Sequence, residues 1–309
     1  MMNVLFMGTP DFAVPCLEAL VQEGYAVKAV VTQPDKPKGR GHKMMAPPVK
    51  ICAEKYGIEV LQPQSLREQA LMPALLRFQP DVIVVVAYGK LLPKYILDFP
   101  RLGCINVHAS LLPKYRGAGP IQWSIINGET QTGVTTMYMG EGLDTGDMIF
   151  KAETKIAPEE TAGMLFERLS VMGASLLVET LKALENGTAP RVPQEDGVAS
   201  YAPMVTKETG HIDWTRTADE ILNLIRGTDP WPGCYTMLGD TVMKIIRASK
   251  TAQTGQPGQV LFADKRGLCV ACGGGEAVVI DELQMQGGKR MSAVSYLNGH
   301  EIPCGIFLG

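Results

Sequence analysis

Long apolar runs are missing from this chain of 309 residues. No segment approaches the ~18 consecutive apolar residues that a membrane span requires. The N-terminus enters a strand-like stretch at Val4 without the cationic region and small-residue cleavage site of a secretory signal. A cytoplasmic protein with no membrane association is the expectation. An excess of basic charge is missing too: 29 Lys and Arg against 32 Asp and Glu leave a formal net charge of −3. That argues against holding nucleic acid by wholesale counterion release, so any RNA contact must come from local patches. The glycine pattern of a dinucleotide fold is absent as well. After the first strand-like run the sequence reads Gly8-Thr9-Pro10-Asp11, without the G-x-G-x-x-G spacing that lets a backbone approach a pyrophosphate, which argues against a nicotinamide cofactor.

Cysteine is present but in no pattern that binds or bridges. Seven cysteines, an odd number scattered through apolar segments, read as reduced thiols rather than a disulfide framework. Cys269-Val270-Ala271-Cys272 has the C-x-x-C spacing, but no second pair answers it. In a strand an odd separation also sends the two thiols to opposite faces, so no metal site is expected.

What remains is an ordinary globular composition, 46% hydrophobic and 20% charged, long enough for two domains. In the first part, strand-like runs (Val4–Met7, Ala26–Thr32, Glu59–Leu61, Asp81–Ala87) alternate with helical patterns (Phe12–Leu20, Pro48–Tyr56, Leu66–Phe78). This order predicts α/β architecture: a doubly wound, mostly parallel twisted sheet built from right-handed crossovers, Rossmann-like. Thr161–Leu184 is a long amphipathic helix. Asn186 to Gly210 then loses periodicity and carries Pro190, Pro193 and Pro203, as a linker does. Beyond it a helix at Thr217–Ile225 and short strands separated by glycines read as a small β-barrel. The expected division is a domain over 1–189, a linker over 190–209 and a second domain over 210–309.

Chemistry concentrates at Asn106-Val107-His108, which ends the apolar run Cys104-Ile105. Alternation along a strand sends Asn106 and His108 to one face and Val107 to the other. An amide and an imidazole thus emerge side by side at a strand end, where open α/β sheets bind ligands. Asp144, from the later stretch Gly142-Leu143-Asp144-Thr145-Gly146-Asp147, could join them. Such a set suits acyl transfer to an amine: the amide stabilises the developing oxyanion, the imidazole handles protons and the carboxylate orients it. On spacing alone both readings stand, and structural roles for a strand-end Asn or His and a turn-capping Asp are the more common. Asp147 reads as the structural carboxylate of the pair.

The words around these residues carry a resemblance. Asn106-Val107-His108-Ala109-Ser110-Leu111-Leu112-Pro113-Lys114-Tyr115-Arg116-Gly117-Ala118-Gly119-Pro120, with Gly142 to Asp147, resembles the signature of folate-dependent formyltransferases. Met7-Gly8-Thr9-Pro10-Asp11-Phe12-Ala13 and Gln33-Pro34-Asp35-Lys36-Pro37-Lys38-Gly39-Arg40-Gly41 resemble the members of that family that act on methionyl-tRNA. The resemblance runs the length of the chain and is strongest up to about Leu184. It implies transfer of a formyl group from 10-formyltetrahydrofolate to the α-amino group of methionyl initiator tRNA. Asn106, His108 and Asp144 would be the catalytic residues and no metal would take part. It implies that folate lies near Val84–Tyr88 with Gly89, Lys90, Leu91 and Leu92, and near Ser110, Leu111, Leu112 and Pro113. The basic loop with Lys36, Lys38, Arg40 and Lys43 is implied to meet the tRNA acceptor end, Arg40 foremost because a guanidinium can bond bidentately. Lys207 is a further implied tRNA contact, the C-terminal barrel is implied to be OB-like, and a monomer is expected.

Two positions depart from the family pattern: Met204 where lysine is usual, and Asp229 in Asp229-Pro230-Trp231-Pro232-Gly233 where asparagine is usual. The competing readings are a formyltransferase for an aminoribosyl nucleotide or a nucleotide-linked amino sugar, a hydrolase releasing formate from the same centre, and an RNA-binding α/β protein without catalysis.

Overall fold

Apolar, largely β-branched runs become sheet in the computed structural model, which describes residues 2–38 and 43–309. Strands β1 (Asn3–Gly8), β2 (Ala26–Val31), β3 (Val60–Leu61), β4 (Val82–Val86), β5 (Cys104–His108), β6 (Gln131–Tyr138) and β7 (Met148–Lys155) form one sheet in the order β7-β6-β5-β4-β1-β2-β3. β1 runs parallel to β2 and β4, β2 to β3, and β4 to β5. Parallel neighbours need crossovers, supplied by helices Val14–Gln22, Pro48–Lys55 and Met72–Phe78. β4 and β5 are buried along their whole length, which is why Val82–Val86 shows no polar alternation. The mostly parallel sheet agrees with the sequence reading. β6 reverses direction and pairs antiparallel to β5.

The sequence places a helix from Leu66, whereas it begins at Met72. Between them Glu68 and Gln69 take φ of 54° and 57°, a left-handed conformation that interrupts any helix. Tertiary contacts hold this stretch: Leu66 and Leu71 are buried, and Tyr95 Oη donates to the Leu66 carbonyl while accepting from the Leu71 N–H. A hairpin too short and polar to register as periodicity pairs Lys36–Lys38 with Lys43–Met45.

The chain divides into two units, the first comprising residues 1–120, 131–154 and 166–202 and the second 121–130, 155–165 and 203–309. In the second unit, β8 (Cys234–Leu238), β9 (Thr241–Thr251), β10 (Val260–Asp264), β11 (Gly267–Ala271) and β12 (Ala277–Met285) form an antiparallel sheet in the order β8-β9-β12-β11-β10. Its core includes Trp214, Ile221, Ile245, Val270 and Ile280. Helix Ala218–Thr228 starts on a reciprocal capping box between Thr217 and Glu220, which satisfies two otherwise orphaned N–H groups. Among the described residues no helix is long and apolar enough to cross a membrane.

Candidate active site

Strand alternation decides which way the two functional side chains of β5 face. Helix Ala162–Glu185 covers the Val107 side so closely that a Cβ at Gly173 would lie 2.9 Å from Val107 Cγ1. Asn106 and His108 therefore emerge on the opposite face, with Cys104, which belongs to one buried core with Leu92, Ile96 and Val85. Asn106 and His108 are 8% and 6% exposed, so both polar groups need partners.

They find them in Asp144 and in the loop after β5. Asn106 Nδ2 donates to Asp144 Oδ1 at 3.4 Å. Oδ2 of the same carboxylate accepts the Gly117 N–H at 2.8 Å and lies 3.7 Å from His108 Nδ1, beyond hydrogen-bond reach. His108 Nε2 is 2.9 Å from the Tyr115 carbonyl. A carbonyl only accepts, so Nε2 carries the hydrogen and Nδ1 is the basic nitrogen of the neutral ring, turned toward the carboxylate. Asp144 itself sits at φ 54° and Tyr115 at φ 60°, conformations that L residues adopt only when the surroundings hold them. Gly117 has φ 113°, and a Cβ there would meet Ala202 O and Tyr201 Cε2 at 2.6 Å. Only glycine brings this N–H to Asp144.

The residues that the sequence singles out thus come together as one cluster of amide, imidazole and carboxylate. Asp147 stays outside it, 3.8 Å from the Arg191 guanidinium. Sequence reasoning missed the backbone groups of Tyr115 and Gly117, and it missed Gln194, whose Nε2 donates to the Asp144 and Gly146 carbonyls at 2.8 Å each. The one available signal for Gly117 was the pair of glycines in Arg116-Gly117-Ala118-Gly119.

The two stretches expected near folate follow adjacent strands, β4 and β5, at their C-terminal ends. After β4, Ala87 and Gly89 take φ of 46° and 85°, turning the backbone out of the sheet; Lys90 Nζ donates to the Gln64 carbonyl, Leu91 is exposed and Leu92 buried. After β5, Ser110 Oγ donates to the Lys114 carbonyl, and Thr135 Oγ1 donates to the Ser110 carbonyl while accepting from the Leu112 N–H. Leu112 is buried with Met137 and Met148, Leu111 approaches Gly133 and Pro113 follows a cis bond. These hydrogen bonds brace the two loops. Tyr88 is buried beside them, and its hydroxyl finds no hydrogen-bond partner among the described residues. Burial pushes that phenol up to about 12, so it stays neutral.

Of the basic loop, Lys36 is exposed at the hairpin, and Lys38 and Lys43 are paired through their backbones. Arg40 lies outside the described residues. The loop's base is tied down: Lys50 Nζ donates to both carboxylate oxygens of Asp35 and to Gln62 Oε1, and Gln62 donates to Asp35 and to the Gln33 carbonyl. Hydrogen bonds from Gln62 and Lys50 hold the Asp35 carboxyl below its ordinary value. Lys207 belongs to the second unit, where it opens the turn Glu208–Gly210.

Comparison with known proteins gives the chain's family. Residues 2–181 match the formyl transferase family and residues 204–301 match the formyl transferase C-terminal domain. A methionyl-tRNA formyltransferase of Syntrophus aciditrophicus is 53% identical over 309 residues, covering 99% of each chain. One from Geobacter metallireducens is 51% identical over 308 residues, covering 100% of this chain and 99% of its own. An N-formyltransferase structure from Helicobacter canadensis, in complex with folinic acid and dTDP-3-aminofucose, superposes with a TM-score of 0.67 at 19% identity, covering 91% of this chain and 99% of that one. HypX from Aquifex aeolicus, in complex with tetrahydrofolic acid, gives 0.62 at 16% identity over 99% of this chain and 51% of its own. At such low identity these two structures speak for the fold alone.

Proposed function

The chain belongs to the formyl transferase family, and from that premise we propose that it transfers the formyl group of 10-formyltetrahydrofolate to the α-amino group of methionyl initiator tRNA. The observation that carries this reading is its likeness, at about half identity along the whole length, to enzymes of that activity. The cluster of Asn106, His108 and Asp144 supplies the chemistry that the reading needs.

Bound folate supplies an activated formyl group, and the backbone at Gly89 to Leu92 and Ser110 to Pro113 would hold its ring. The Asn106 amide, held only loosely by Asp144 at 3.4 Å, is the donor for the formyl oxygen as that oxygen gains charge, a role worth ~3–4 kcal/mol. Attack by the α-amino nitrogen forms the new C–N bond, the C–N10 bond then breaks to release tetrahydrofolate, and the proton lost by the amine must reach N10, a transfer assigned to His108. Its Nε2–H is anchored on the Tyr115 carbonyl, which leaves Nδ1 as the nitrogen able to accept. Asp144 offsets the positive charge that the ring takes up, and the Gly117 N–H keeps the carboxylate oriented. The α-amino group must be neutral to attack; free α-amino groups titrate at about 7.7–8, and the adjoining ester carbonyl of an aminoacyl-tRNA lowers that further, so the neutral form is at hand.

The second unit is read as an OB-like barrel that helps to hold tRNA. In support, the chain's last residues bond to both outer strands of its sheet: Gly309 exchanges hydrogen bonds with Met237, while the Leu308 N–H reaches Gly258 O and Ile306 O accepts from Val260 N–H. That pairing joins the two sheet edges, as a barrel does. Arg40, Lys36, Lys38, Lys43 and Lys207 are proposed tRNA contacts. The division at 1–189, 190–209 and 210–309, a cytoplasmic location and a monomeric state complete the reading.

The test is formylation of methionyl initiator tRNA by 10-formyltetrahydrofolate, beside free methionine and a nucleotide-linked amino sugar. Transfer to the tRNA alone is expected. Preference for the amino sugar would replace this reading with its rival.

A further inference from the structure

Asp144 is held twice, once by its carboxylate and once by its backbone, and the two grips come from different parts of the chain. The carboxylate is held by Asn106 and Gly117. The backbone is held by Gln194, in the proline-rich stretch whose sequence reads as a linker. Both N–H groups of the Gln194 amide are engaged, on the carbonyls of Asp144 and Gly146 at 2.8 Å each. Its Oε1 accepts from Arg116 Nε at 3.0 Å, and Arg116 Nη2 continues to Asp196 Oδ1 at 2.9 Å. The amide is therefore oriented without ambiguity, oxygen toward the guanidinium and nitrogen toward the turn. The segment bearing it is anchored in turn on the sheet, where Val192 exchanges backbone hydrogen bonds with Met148 of β7 at 2.8 and 3.0 Å.

The turn has reason to need such a clamp. Asp144 carries a Cβ yet sits at φ 54°, a conformation that persists only when the surroundings over-determine it. Gly146 lies so close to the backbone of Tyr138 that a Cβ would meet Tyr138 O at 1.7 Å, so the turn's far end is seated against the sheet. Gln194 spans both points.

We propose that Gln194 is a positioning residue for the formyl transfer: it touches no reacting atom but sets the distance from Asp144 to His108 by gripping the carbonyls on either side of Thr145. This rests on the catalytic role assigned to Asp144. Gln194→Glu keeps the size and the pairing with Arg116 but replaces both donors by an acceptor facing two carbonyls. Gln194→Leu removes the polar group altogether.

In steady-state formylation of methionyl-tRNA, each variant should lower kcat by about tenfold, the scale of losing one or two net hydrogen bonds. KM for 10-formyltetrahydrofolate and for the tRNA should stay unchanged. A role confined to stability would lower the melting temperature and leave kcat of the folded enzyme alone. The deciding measurement is the double variant: in an Asp144→Asn background, Gln194→Glu should cost nothing more, because it acts through a carboxylate no longer there. Independent, multiplying losses would overturn the proposal, as would near-normal kcat in a folded Gln194→Glu enzyme. Should Gln194→Leu fail to fold, Gln194→Glu carries the test. Near-normal turnover in Asp144→Asn alone would bring down the underlying role of Asp144 and this inference with it, whereas a crippled Asp144→Asn beside an unaffected Gln194→Glu would refute this inference alone.

Discussion

Replacing Asp144 by asparagine changes one atom and one charge, and the geometry fixes what each is worth. The carboxylate receives a donor on each oxygen, Asn106 Nδ2 at 3.4 Å and the Gly117 N–H at 2.8 Å. An amide accepts on one oxygen only. With its oxygen toward Gly117 it points a donor at Asn106; turned over, it points a donor at Gly117. Either orientation leaves one mismatched pair in a site where Asn106 and His108 are under a tenth exposed, a cost of about 1–3 kcal/mol in stability. The charge matters more for rate. Oδ2 lies 3.7 Å from His108 Nδ1, and a unit charge pair near that separation interacts by about 4 kcal/mol at an effective dielectric of 20. Loss of two-thirds of that from the transition state slows transfer about a hundredfold. The assay is single-turnover formylation with both substrates saturating, beside thermal unfolding and folate binding by the same preparation. Turnover within threefold of wild type in a folded, folate-binding Asp144→Asn protein would refute the reasoning.

Asn106→Ala and His108→Ala should each reduce turnover by about a hundredfold or more with folate binding retained; near-normal rates in stable proteins would remove the mechanism. Arg40→Ala should cost ~1–3 kcal/mol in formylation efficiency on initiator tRNA if the guanidinium contacts are bidentate, while Lys36→Ala should act more weakly and mainly through salt-dependent affinity; equal efficiency of wild type and Arg40→Ala at matched salt would show that the loop does not engage the RNA. Thiol titration of the native protein near neutral pH should find one fast-reacting cysteine, Cys304, which is exposed while the other six are buried. Burial pushes Cys16, Cys104 and Cys272 up to about 12 and Cys269 to about 11 and raises Cys52 and Cys234 as well, so these thiols stay protonated until denaturant exposes them. Several fast-reacting thiols in folded protein would contradict that burial.

What was legible in the sequence was whatever local chemistry writes into it. Val82–Val86, β-branched throughout, could only be a strand covered on both faces, and strands alternating with helices left a mostly parallel sheet as the natural outcome. Asn106 and His108 could be placed on one face from alternation alone. The reversal of β6 was not legible, because Gln131–Tyr138 pairs as readily in either direction. Nor were the Tyr115 carbonyl and the Gly117 N–H, since a backbone group has no residue identity to announce it. Gln194 was hidden by its surroundings, a proline-rich stretch without periodicity whose long-range pairings, such as Val192 with Met148 of β7, no local pattern announces. The late start of the helix at Met72 came from Tyr95, whose phenol holds Leu66 and Leu71 in a turn that local propensity alone would have wound up.

The cluster is also uneven in how its members are held. Asn106 and His108 stand on β5, every residue of which is buried between neighbouring strands, and such positions open only with much of the fold. Asp144 stands on a turn whose Gly142 and Leu143 are exposed, so its place depends on hydrogen bonds from Asn106, Gly117 and Gln194 and not on a ladder of strands. Amide and imidazole are thus fixed by the sheet, while the carboxylate is fixed by those few bonds, and loosening them would withdraw it alone. Hydrogen exchange would record this as slow amides along β5 beside faster ones around Leu143.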